Sequence, residues 1–222
     1  MKTRVLAVVQ AIIFLSAFCS LAITTSAQGA ATPKAQPKKD SKEVCEPPVG
    51  PIRFGEKPEL QTSQRMKALF DADQSSRRGI SKHKELWPKL EEEDRARRVE
   101  VMTYLENGKL AAADDFYYAA LIFQHGNCAD HFKLSNQLAE KSMKLGNHDA
   151  RWLYAASLDR YLMTLGKPQK FGTQYVQNEK SGKWEIYSVD PATTDEERAH
   201  YDVPPLAETR KQLDEMNRKP QR

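Results

Sequence analysis

Residues 114–126 read DDFYYAALIFQHG and residues 148–162 read HDARWLYAASLDRYL. Laid over one another, they align Tyr118-Ala119-Ala120 with Tyr154-Ala155-Ala156 at an offset of 36 residues, with a further helical stretch between. At 100° per residue the second segment places Tyr154, Ala155, Leu158, Tyr161, Leu162 and Leu165 on one face and Trp152, Ala156 and Met163 on another. A helix apolar on most sides is a buried one. Gly126, Gly146 and Gly166 each follow such a segment as a C-terminal stop, which predicts helices over about 114–125, 129–145 and 148–165.

The flanks extend this body. ELQTSQRMKALFDADQ (59–74) spaces Leu60, Met66, Leu69 and Phe70 as a helix does, SSRRG (75–79) breaks it, and EEEDRARRVEVMTYLENG (91–108) resumes with an acidic start and a glycine stop. After Gly166 the pattern changes: FGTQYVQNEKSGKWEIYSV (171–189) has two β-prone runs about Glu179-Lys180-Ser181-Gly182, a hairpin turn. Thr194 with Glu197 forms a capping box, and Pro204-Pro205 opens a last helix to about Asn217. The expected fold is mainly α, a bundle of repeat-like helix pairs with one C-terminal β-hairpin at about 171–189.

The ends bound the setting. Residues 1–27 carry Lys2 and Arg4, an apolar run from Val5 to about Ile23, then Thr25-Ser26-Ala27, the layout of a signal peptide cut after Ala27. Without basic residues directly after the run, this reading is preferred to a membrane anchor, and bulky Phe18 argues against lipidation at Cys19. A secreted or periplasmic protein is therefore expected, with no transmembrane segment after cleavage. Residues 28–59 hold six of the twelve prolines and several lysines, a linker composition. The helical domain spans 60–217 and a basic tail 218–222. Removing Lys2 and Arg4 lowers the formal charge from +4 to +2, with no basic patch that suits nucleic acid. Cys45 and Cys128 remain for an oxidising compartment, an even count that allows one disulfide across 83 residues.

Some polar residues sit where packing does not require them. Asp159 falls between the two apolar faces of its helix, and a buried carboxylate without partners costs several kcal/mol. Arg160 follows it. The preceding buried helix places Gln124 and His125 at its end, level with Arg160 and Tyr161 if the 36-residue repeat is geometric. Gln169, Gly172, Thr173 and Gln174 leave the second helix within about 10 Å of Asp159. Each has a bland reading: His125 as a helix-end cation, Asp159 and Arg160 as ties, Gly172 as a turn. Their convergence favours one polar site.

The period of 36 resembles Sel1 and tetratricopeptide helix pairs. A more specific resemblance rests on Asp73-Gln74-x-x-Arg77, Gln124-His125, Asp159-Arg160 and Gln169-x-Phe171-Gly172-Thr173-Gln174. These look like the pattern of a bacterial family catalogued as domain of unknown function 6624, over about residues 60–206, with Phe171 where tyrosine is common. The resemblance implies a shared site at those residues and no particular reaction.

Two functions fit the residue types. In the first, Arg160 with Gln124, Gln169, Gly172, Thr173, Gln174, Asp73, Gln74 and Arg77 binds a small polar or anionic ligand, such as a peptide or an envelope fragment. In the second, a hydrolase uses His125 as general base oriented by Asp159, with Arg160 stabilising negative charge. His125, Cys128 and His131 have ligand chemistry, but Gly126-Asn127 breaks the helix between them, so no metal site is assigned. No phosphate loop, dinucleotide fingerprint or serine elbow is present, and no cofactor is expected.

Overall fold

The computed structural model describes residues 45–80 and 83–218. The signal peptide (1–27), the first part of the linker (28–44) and residues 219–222 of the basic tail lie outside the described residues. The elements run α1 (Leu60–Ser76), a 3-10 turn (Lys84–Leu86), α2 (Trp87–Glu106), α3 (Ala113–Gln124), α4 (Ala129–Lys144), α5 (Ala150–Thr164), β1 (Tyr175–Gln177), β2 (Trp184–Ile186), α6 (Asp195–His200) and α7 (Leu206–Arg218). The described chain is thus mainly helical, with one small antiparallel two-stranded sheet near its C-terminal end.

The three helices read from the opening segments form the centre. α4 packs against both α3 and α5, and α1 packs on α3. Phe116, Ala119, Ala120, Ile122 and Phe123 of α3 are all buried, joined by Leu134, Leu138 and Ala139 of α4 and by Leu153 of α5. Alanines at the contacts let the helices approach closely, and short polar side chains bridge them. Ser135 Oγ donates to the Ala120 carbonyl at 2.7 Å, Ser142 Oγ to the Ala113 carbonyl at 2.7 Å, and Asn136 Nδ2 to the Tyr154 carbonyl at 2.9 Å. At the start of α3, the Asp115 carboxylate accepts from the Ala112 N–H at 3.0 Å and caps the helix.

α2 begins at Trp87, earlier than the acidic run, because Pro88 suits the first helical turn. The strands are shorter than the 171–189 stretch and pair Tyr175 with Ile186, Val176 with Glu185 and Gln177 with Trp184. Thr194 Oγ1 accepts from the Glu197 N–H and starts α6.

Residues 45–59, at the end of the stretch with linker composition, have no helix or strand but lie docked on the bundle. Val49 and Ile52 pack against the core, and the Phe54 ring meets Phe116 edge to face at 5.1 Å. The Arg53 and Gly55 N–H groups donate to the Leu105 and Leu110 carbonyls. A disulfide joins Cys45 to Cys128. No helix among the described residues is long and apolar enough to cross a membrane.

Closing a loop of 83 residues restricts the unfolded chain, and the chain-entropy relation values this at about 4 kcal/mol. Cys45→Ser with Cys128→Ser should lower unfolding stability in urea by that order. Adding reductant to the wild type should reproduce the loss.

Candidate functional site

α5 is buried on most sides, so Asp159 on it has no route to water: its exposure is 0%. The loop after α5 supplies the donors. Oδ1 accepts from the N–H groups of Lys170 (2.7 Å) and Phe171 (2.8 Å), and Oδ2 from the N–H (2.9 Å) and hydroxyl (2.8 Å) of Thr173. Gly172, at φ +90°, makes the left-handed turn that lets these donors converge; a side chain there would also press on Leu206. Burial pushes the Asp159 carboxyl up, and the four donors pull it back.

Gln169 and Gln174 knot the same loop. Gln169 Nε2 donates to the carbonyls of Gln174 (2.9 Å) and Tyr187 (2.8 Å), while its Oε1 accepts from the Gln174 N–H at 2.8 Å. Gln174 Oε1 accepts from Arg160 Nε at 3.1 Å, and its Nε2 donates to the Ala156 carbonyl and to Thr173 Oγ1. The hydrogen-bonding groups of Asp159, Gln169, Thr173 and Gln174 are therefore engaged within the protein.

A second cluster forms where α1 and α2 meet the end of α3. Asp73 Oδ1 accepts from Arg77 Nη1 at 2.8 Å and lies 3.1 Å from His125 Nδ1. Arg77 Nη2 also donates to Asp94, whose other oxygen takes Arg97 Nη2 at 2.6 Å. Gln74, half-buried, donates to Asp73 Oδ2 at 2.9 Å. Burial opposes ionisation of Asp73, but His125, Arg77 and Arg97 more than offset it and hold the carboxyl below its usual range. Burial lowers His125, so its imidazole is neutral near pH 7. The carboxylate that meets His125 is thus that of Asp73. The expected His125–Asp159 pairing is absent, because Asp159 is committed to the loop.

The clusters join at the C-terminus of α3, where backbone carbonyls lack helical partners. Arg160 Nη1 donates to the Gln124 carbonyl at 2.7 Å, linking the two residues that the 36-residue alignment sets level. Arg98 Nη1 donates to the His125 carbonyl at 2.9 Å, and its other nitrogens reach the Glu46 carbonyl in the docked arm. Among the described residues, neither Arg98 nor Arg160 pairs with a carboxylate. Arg160 rests over the Phe132 ring at 5.6 Å, and burial, with Arg77 adding like charge, pulls its guanidinium down to about 10. The Gln124 side chain, 1% exposed, has neither its amide nitrogen nor its oxygen bonded.

Cys128 is in the disulfide, and His131 has both ring nitrogens engaged: Nε2 with the Pro47 carbonyl at 2.7 Å and Nδ1 with the Asn127 N–H. Gly126 is required for more than stopping α3, since a side chain there would collide with His131. Asp94, Arg97 and Arg98 are the cluster members that the sequence reading missed, hidden in a charged run that resembles a solvated face. The signal was their register: Asp94, Arg98, Val101 and Leu105 fall on one helical stripe.

The cluster is closed. The opening lined by Gly172 and Thr173, with Trp152 and Tyr175, holds about 10 Å³, roughly one water. A groove of about 800 Å³ lies elsewhere, between β2 and α7, and none of the candidate residues lines it. No family model, curated protein or solved structure matches the chain.

Asp159→Asn turns an amide N–H₂ onto groups that donate, and should cost about 3 kcal/mol or more. The amides of Lys170, Phe171 and Thr173 should then exchange hydrogen faster than those of the α4 core. Burial lowers both His125 and His131 below the ordinary histidine value of 6.5. The unfolded chain therefore takes up protons that the folded imidazoles refuse, and stability falls as pH drops below about 6.5. Urea unfolding between pH 7.5 and 5 should show that slope, reduced in His125→Gln.

Proposed function

We propose that this protein binds a small anionic ligand at the junction of Arg160 and Gln124. One observation carries the reading: a buried carboxamide with both atoms unpaired belongs to the residue whose carbonyl anchors a buried guanidinium that has no counter-ion. Leaving such groups unmet costs about 1–3 kcal/mol each, a cost that an apolar side chain at position 124 avoids. Arg160 calls for an anionic oxygen, the Gln124 amide nitrogen for an acceptor, and the Gln124 oxygen for a donor. A peptide C-terminus, with its carboxylate beside an N–H, supplies all three, as does an envelope fragment bearing a carboxylate and an amide.

The signal-like residues 1–27 support export to the periplasm or beyond, and the disulfide suits an oxidising compartment. The resemblance to the family of unknown function 6624 supports a common role for these motifs and favours no reaction. A second reading, hydrolysis, is favoured by the Asp73–His125 pair. With the proton on Nδ1 shared with Asp73, His125 Nε2 becomes a base for water, and Arg160 is the cation assigned to the developing negative charge.

N-Acetylglycine carries the carboxylate and N–H in the required relation, and N-acetylglycinamide lacks the charge. At fixed ionic strength, N-acetylglycine should raise the melting temperature of the wild type, by the equivalent of about 2.7 kcal/mol when present at a hundred times Kd. The amide should not, and Arg160→Met should abolish the gain. If neither N-acetylglycine nor phosphate stabilises the protein while Gln124→Leu does so unaided, position 124 is a packing imperfection and the reading fails.

A further inference from the structure

The groove of about 800 Å³ is bounded on one side by β2 and the loop after it, and on the other by α7. The sheet has two strands, so β2 keeps one free edge. Tyr187 N–H donates to the Gln174 carbonyl and Asn178 N–H to the Lys183 carbonyl, which brackets the register between β1 and β2. Backbone groups in an antiparallel ladder alternate in direction. Glu185 therefore faces β1, while Trp184 and Ile186 turn their N–H and C=O outward to the free edge.

Trp184 is already met there. Its N–H donates to Asn217 Oδ1 at 2.9 Å and its carbonyl accepts from Asn217 Nδ2 at 2.8 Å. One amide from the last turn of α7 thus bonds one strand residue in both directions, as a residue of an incoming strand would. Two residues on, Ile186 presents the same outward pair to the groove, with no protein partner for it among the described residues. An open strand edge is a template for an extended chain.

Side chains on the walls set the character of that chain. Trp184, Tyr187, Leu206 and Leu213 give apolar contact. Glu185, Asp190, Asp195 and Asp214 bring four carboxylates against the guanidinium groups of Arg198 and Arg210. Arg198 is spent internally, on the Phe171 and Thr193 carbonyls and on Asp195. The groove is acidic on balance.

We propose that the groove binds an extended peptide bearing alternate apolar and basic side chains, added to the free edge of β2. The peptide bonds the N–H and C=O of Ile186, in line with the place Asn217 fills at Trp184. Its apolar side chains lie against Trp184 and Leu213, and its lysines or arginines reach Asp190 and Asp214. This site is independent of the Arg160–Gln124 junction.

The probe is acetyl-Lys-Val-Lys-Val-Lys-amide, with acetyl-Glu-Val-Glu-Val-Glu-amide as its charge reverse. Titration followed by amide NMR should shift Ile186 and slow its hydrogen exchange with the lysine peptide only. Asp214→Lys, an exposed substitution that leaves the fold intact, should weaken binding about fivefold, the worth of one exposed ion pair. Ile186→Pro removes the edge N–H and should abolish binding. Three results would overturn the proposal: no binding at millimolar lysine peptide, equal binding of the glutamate peptide, or binding that leaves Ile186 exchange unchanged. Sedimentation supplies a fourth, a dimer in which Ile186 is protected without peptide, since a second copy would then be the occupant.

Discussion

A carboxylate buried on all sides of a helix can persist only if the surrounding chain brings donors to it. Asp159 is that carboxylate, and the path of residues 167–174 is the solution: a tight turn through Gly172 aims three backbone N–H groups and one hydroxyl at two oxygens. Much else follows from that turn. It fixes Gln174 where it holds Arg160, and Gln169 where it bonds the Tyr187 carbonyl and so carries the hairpin. Arg198 of α6 then donates to the Phe171 carbonyl, so the C-terminal elements are registered on the same loop. Removing the charge does not merely delete contacts; it leaves the loop with inward-facing donors that nothing else can satisfy.

The end of α3 is the second constraint. A helix C-terminus carries partial negative charge and unpaired carbonyls, and here two arginines from different elements satisfy it, Arg160 from α5 and Arg98 from α2. Arg98 also holds the docked arm through the Glu46 carbonyl, and the disulfide fixes that arm a few residues further along, at the N-cap of α4. One stretch, residues 124–128, is thus where the bundle, the arm and the polar cluster are tied together. Asp73 and Asp94 pair with Arg77 and Arg97, whereas Arg98 and Arg160 meet only carbonyl oxygens.

The helices were legible because buried helices are written in long periodic apolar runs with glycine stops, and α3 and α5 even share a repeat. The Gln124, Asp159 and Arg160 positions were legible for a complementary reason: a polar residue inside such a run has to be explained. Which partners they chose was not. Sequence distance drew His125 toward Asp159, 34 residues on, but the carboxylate that meets it in space is Asp73 of α1, and Asp159 was already claimed by its own loop. Asp94, Arg97 and Arg98 were harder still, since a run of alternating charges usually faces water, and only the apolar residues one and two turns later show that this face turns inward. The edge of β2 could not be read at all, because it depends on Asn217 folding back across the groove.

The polar residues that drew attention in the sequence divide into two kinds. Asp159, Gln169, Thr173 and Gln174 spend their hydrogen-bonding capacity on the chain itself, which is what architecture requires. Gln124 spends none of its side chain's capacity and Arg160 only part of its own, although both are as deeply buried. A core shaped for stability alone exchanges such a carboxamide for a leucine of similar length, because the desolvation cost is then avoided and packing is kept. The retained cost is local: it falls where two helices, a capped helix end and a rigid loop meet, so the groups that bear it are held in fixed positions. Groups that are fixed and unsatisfied in this way are what the proposed anion site would draw on, since their order is already set before a ligand arrives. The surrounding architecture of buried carboxylate, knotted glutamines and arginine-capped helix is what keeps that site from collapsing onto itself.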